Sequence, residues 1–70
     1  MSVEIDYYIL RQDESGEYRD HNSVLYGFID SAKQAYRYYV ENFPDKKFKL
    51  IEKVTTTSVE YQTLMSNDSN

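Results

Sequence analysis

The stretch DSAKQAYRYYVENF, residues 30–43, decides the fold. Ala32, Ala35, Tyr36, Tyr39, Val40 and Phe43 recur at the i, i+3, i+4, i+7 spacing that draws one stripe along an α-helix. Lys33, Gln34, Arg37, Glu41 and Asn42 fill the opposite side. Two start signals overlap. Asp30 caps the first turn, or Ser31 does so with Gln34 completing a capping box. The helix therefore starts at 30–31. Pro44 ends it, because it disfavours the helical conformation at Phe43 and has no backbone N–H. So short a helix is marginal alone in water, and its aromatic stripe must be buried on another element. Tyr38 lies off the stripe and points outward.

That other element is a sheet. In residues 3–11, Val3, Ile5, Tyr7 and Ile9 alternate with Glu4, Asp6, Tyr8 and Leu10, the period of a strand. The odd positions should meet the helix and the even ones face away. Residues 12–17, QDESGE, read as a turn: Asp13 and Ser15 bond the local backbone and Gly16 supplies a positive φ. A calcium-binding loop needs Gly at its sixth position and Glu at its twelfth, and this spacing fails that test. Residues 18–29 read as a second strand with a weak middle at 20–23, and His21 as an ordinary surface histidine. Residues 48–59, rich in β-branched side chains, read as a third strand. Its alternation slips at Leu50–Ile51, which calls for a bulge there or for cover on both faces.

The order is then β-β-α-β: an α+β domain with one helix on a small, mainly antiparallel three-stranded sheet, strand order 2-1-3. Strands 2 and 3 would be its edges. Residues 1–62 form the domain and residues 63–70 a flexible tail. Strands 2 and 3 would run parallel and start at the same end. That end gathers Asp13, Glu14, Glu17 and Asp20, with Arg19, against Lys46, Lys47, Lys49 and Lys53, with Glu52. Lys46, Lys47 and Lys49 would partly neutralise the acidic hairpin in cis.

Composition narrows the function. The chain has 70 residues, no cysteine, eight Tyr, three Phe and a net charge of −4. One domain is the expectation. Disulfides and thiolate chemistry are excluded. Neither a basic, apolar leader nor a membrane-spanning apolar run is visible, which points to the cytoplasm. The acidic balance argues against direct binding to nucleic acid or to anionic membranes. No nucleophile elbow, phosphate-cradling glycine run, metal-ligand spacing or His–carboxylate pair appears, so neither catalysis nor a cofactor is expected.

Protein binding is what remains. Tyr8 and Leu10, on the sheet face away from the helix, and Tyr38, outside the helix, are the candidate contact residues, because tyrosine is enriched at binding hot spots. Glu4, Asp6, Asp13, Glu14, Glu17 and Asp20 are candidate acidic contacts, and carboxylates spaced in this way can imitate nucleic-acid phosphates. The alternative is a homodimer, formed through a sheet edge at residues 55–59 or through the tyrosine-rich face.

YYILR at 7–11, a polar turn with Gly16, LYGF at 25–28 and DSAKQAYRYYVENFPDKKFKLIEKVTTT at 30–57 together resemble small accessory proteins of phages and prophages of Gram-positive bacteria. The likeness spans residues 5–60. It implies a protein that binds a host or defence protein, in the host cytoplasm, and inhibits or redirects it. It carries over no site residue.

Overall fold

The computed structural model describes residues 2–68. Among them the chain forms β1 (Glu4–Gln12), β2 (Tyr18–Asp20), α1 (Ile29–Asn42), β3 (Phe48–Thr55) and β4 (Val59–Ser66). The helix begins slightly earlier than its capping signals suggest. Phe28 is the N-cap and no side chain caps the helix, so neither Asp30 nor Ser31 does so. Asp30 instead lies in the first turn, where the helix dipole favours a carboxylate. At the other end the Phe43 N–H donates to the Tyr39 carbonyl at 2.9 Å, and Pro44 follows.

The sheet has four strands in the order β2-β1-β3-β4, with every neighbouring pair antiparallel. β2 and β3 therefore run parallel on either side of β1, as the crossover requires. The expected third strand is two strands. It turns back at residues 56–58, where the Thr56 N–H donates to the Ser58 carbonyl at 2.9 Å and Thr55 pairs with Val59. β3 is thus interior, and the edges are β2 and β4. The slip at Leu50–Ile51 reflects cover on both faces of β3. Leu50 points to the helix, Ile51 points away from it, and both are buried. The bulge at this level belongs to the neighbouring strand. Leu50 pairs with Met65 and Ile51 with Thr63, so Leu64 is the extra residue of a bulge on β4. The β1–β3 ladder runs through this point without a break.

The expected tail from residue 63 is also corrected as far as Asp68, while Ser69 and Asn70 lie outside the described residues. β4 continues to Ser66, and Asn67 then locks the strand in place. Its Oδ1 accepts the Phe48 N–H at 2.6 Å, and its Nδ2 donates to the Lys46 carbonyl at 2.9 Å. Asn67→Ala leaves a part-buried backbone N–H without its acceptor and should cost about 1–3 kcal/mol. Urea unfolding of the two proteins measures this as a lower midpoint at unchanged slope.

The second strand is shorter than expected. The ladder ends with the His21 N–H donating to the Ile9 carbonyl at 2.9 Å. Asp20 Oδ1 then accepts the N–H groups of Asn22 and Ser23, and Asn22 Oδ1 accepts that of Val24. These local bonds compete with the ladder and turn the chain outward, with Ser23 at φ 57°. Only Tyr26 returns to the sheet, exchanging both backbone bonds with Tyr7 at 2.9 and 2.8 Å.

Tyr7, Ile9, Ala32, Tyr36, Phe48 and Leu50 form the core between helix and sheet, with Ala35, Tyr39 and Val40 packed around them. Val3, Ile5 and Phe43 were expected in this layer and are exposed instead. Helix length explains the first two. α1 spans roughly 21 Å and β1 roughly 30 Å, so the N-terminal end of β1 extends beyond the helix.

Candidate functional site

Register and alternation assign the face that α1 leaves bare. Tyr7 and Ile9 point to the helix, so Glu4, Asp6, Tyr8 and Leu10 point away. Their partners carry Lys49, Ile51 and Lys53 from β3 and Asp20 from β2 onto the same face, and β4 adds Val59, Tyr61 and Thr63. Ile51 is 6% exposed although no helix covers it. It lies between Tyr8 and Thr63 on its rung, and between Lys49 and Lys53 along its strand. It therefore forms the floor of a second, smaller apolar cluster.

Two tyrosines form the rim of this floor. The Tyr8 and Tyr61 rings meet edge to face, with centroids 6.4 Å apart. Tyr61 is 62% exposed and Leu25, from the outward loop, 60%. Tyr8, Leu25 and Tyr61, with Asp20 and Lys53, line a shallow depression of about 180 Å³. Burial, then Tyr61 and Asp20, push the Tyr8 phenol above its ordinary value of 10.0, so it stays a neutral hydrogen-bonding group at physiological pH. Towards the hairpin the face is closed: Lys49 Nζ sits 4.2 Å above the Tyr18 ring, and the Tyr18 hydroxyl bonds Asp68 at 3.1 Å.

The candidates from sequence fall in three places. Tyr8, Leu10, Glu4, Asp6 and Asp20 share the helix-free face. Asp13, Glu14 and Glu17 belong to the hairpin, where Asp13 serves the loop itself. Its Oδ1 accepts the N–H groups of Ser15 and Glu17 and the Ser15 hydroxyl, and its Oδ2 accepts Arg19 Nε at 2.6 Å. These partners, Ser15 and Arg19 foremost, hold its carboxyl far below the usual range. Arg19 also pairs with Glu17 at 3.2 Å. Lys46 and Lys47 share an open groove of about 320 Å³ with Asp13 and Glu14, so the two charge blocks do meet. Among the described residues, however, both ion pairs are made by Arg19. Tyr38 stands apart on the outer side of α1, exposed and edge-on to Tyr39 at 5.5 Å.

Leu25, Ile51 and Tyr61 complete the face and are not among the residues singled out from sequence. The available signals were the apolar run VLYGFI at 24–29 and the alternation of VEYQT at 59–63. Phe28, in that run, is 78% exposed.

His21 is not an ordinary surface histidine. Its ring lies edge-on to Tyr39 at 4.3 Å and to Phe48 at 5.2 Å, and its buried Nδ1 has no hydrogen-bond partner among the described residues. Burial, reinforced by Arg11 and opposed by Asp20, lowers its pKa from the ordinary 6.5. The folded state thus holds the proton less tightly than the unfolded one. The resulting stability is full above pH 6.5 and is lost as the pH falls through the folded value. His21→Phe keeps the ring packing and should flatten stability against pH in that window, as measured by urea unfolding at a series of pH values.

Among the described residues no group of three or more His, Cys, Asp or Glu could hold a metal ion, and no helix is long and apolar enough to cross a membrane. Compared with known proteins, the chain matches no family model, no curated protein and no solved structure.

Proposed function

We propose that this chain is a small, non-catalytic protein-binding module that takes a partner protein on the helix-free face of its sheet. The observation that carries this is the depression formed by Tyr8, Leu25 and Tyr61, beside the covered Ile51. Rigid aromatic side chains around an apolar floor, with charges at the margin, have the composition of a binding hot spot. The margin favours a protein over a nucleic acid. Lys49 and Lys53 stand against Glu4, Asp6 and Asp20, so the face has no cationic excess for phosphates. Such a module acts by occupancy: it blocks or redirects whatever surface it covers.

The test is capture from a lysate of the cells that make the protein, using the immobilised chain, the Tyr8→Ala/Tyr61→Ala variant and the Tyr38→Ala variant. Captured proteins should be lost with the double variant and kept with Tyr38→Ala. Equal capture by the double variant overturns the proposal.

A further inference from the structure

We propose that β4 pairs with β4 of a second copy, antiparallel about a two-fold axis at Gln62, giving one continuous eight-stranded sheet. Among the described residues β4 is hydrogen-bonded on one side only, to β3. Its outer edge presents unpaired backbone N–H and C=O groups along roughly 27 Å. Edge strands are normally kept from pairing by short length, lysine, proline or bulges. β4 has eight residues, no lysine and no proline, and its only charge is Glu60. Its one protective device is the bulge at Leu64.

The opposite edge of the sheet offers no match. β2 has three residues, two of them the charged Arg19 and Asp20, and beyond it, among the described residues, only the Tyr7–Tyr26 bridge continues. A second copy therefore has one long free edge to offer, which is β4 itself. Pairing of identical edges closes as a dimer, whereas pairing of unlike edges would propagate into a fibre.

Charge selects the direction. In a parallel pair Glu60 would stand beside Glu60, and like charges directly opposite are unfavourable. About the proposed axis Gln62 faces its own counterpart and Glu60 faces residue 64 of the other copy, so the two carboxylates lie roughly 14 Å apart. That exceeds the screening length at physiological ionic strength. The axis is perpendicular to the sheet, so both helix-free faces end up on the same side, with a Tyr8–Tyr61 pair flanking the axis in each copy. The pairing uses the backbone edge and not the tyrosine face, so it stands or falls separately from the proposed function.

The test combines light scattering from micromolar to millimolar protein with amide hydrogen exchange. The mass should rise from 8.3 kDa towards twice that value, and every second β4 amide should gain protection as it does. Thr63 is exposed, so Thr63→Lys is compatible with folding. It places two ammonium groups beside the axis and should weaken the dimer by about two- to fivefold. A monomer at every concentration overturns the proposal. So does a dimer that Thr63→Lys leaves unchanged and in which the alternate β4 amides stay unprotected.

Discussion

Phe48→Ala should remove about 3–5 kcal/mol of stability, the usual cost of emptying a buried phenylalanine site. For 70 residues the whole unfolding free energy is roughly 4–10 kcal/mol, so the variant is expected to be unfolded at room temperature or to melt roughly 15–30 °C lower. Phe48 is fully buried. Its ring stacks on Tyr39 at 5.9 Å and meets His21 edge-on, and its backbone N–H is held by Asn67. It therefore joins the helix, the outward loop and the end of β4 at a single point. The other two phenylalanines are controls supplied by the same chain. Phe28 and Phe43 are exposed, and replacing either with alanine should change stability by no more than about 0.5 kcal/mol. Thermal melts of the three variants measure this directly. Three equal losses would mean that the core is not where Phe48 places it.

This contrast also shows what the sequence could reveal. Phe43 completes the helical stripe and Phe48 opens a strand, and periodicity treats the two alike. Burial depends on how far the helix reaches across the sheet, which no local pattern encodes. Periodicity does mark α1 and β1, because each repeats one spacing over many residues. The crossover rule then sets β2 and β3 parallel on either side of β1. The turn before β4 went unseen for a chemical reason. Residues 56–58 are Thr, Thr and Ser, with none of the Gly, Pro, Asn or Asp that usually mark a hairpin. Their run of β-branched and hydroxyl side chains continued the strand pattern across the turn. Missing that turn displaced the sheet edge from β4 to β3 and hid Tyr61, half of the aromatic pair on the helix-free face. Tyr8 and Leu10 were legible because a helix-free face should not carry large apolar groups without cause. Leu25 was not, because the side-chain bonds of Asp20 and Asn22 that turn the loop outward depend on the folded backbone.

The Tyr8→Ala/Tyr61→Ala variant should bind a captured partner about a hundredfold more weakly, while Tyr38→Ala changes affinity by less than about threefold. A hot-spot aromatic typically contributes about 2 kcal/mol or more, and two rings in mutual contact do not contribute additively. A joint loss near 2.7 kcal/mol corresponds to that hundredfold. Among the described residues Tyr38 touches the ring of Tyr39 and no other, so its truncation leaves the sheet face intact. The main confounding effect is loss of structure, because Tyr8 is half-buried and helps to cover Ile51. Its edge-to-face contact with Tyr61 adds about 0.5–1.5 kcal/mol to what its area burial contributes, so circular dichroism and the thermal transition of the double variant are measured beside its binding. Tyr61→Ala alone removes that difficulty. Tyr61 is mostly exposed and on an edge strand, so its loss costs little in folding. Titration calorimetry should still show it binding at least tenfold more weakly than the unsubstituted chain. If Tyr61→Ala binds as tightly as the unsubstituted chain and Tyr38→Ala does not, the partner is held by the outer side of α1, and the helix-free face of the sheet has some other use.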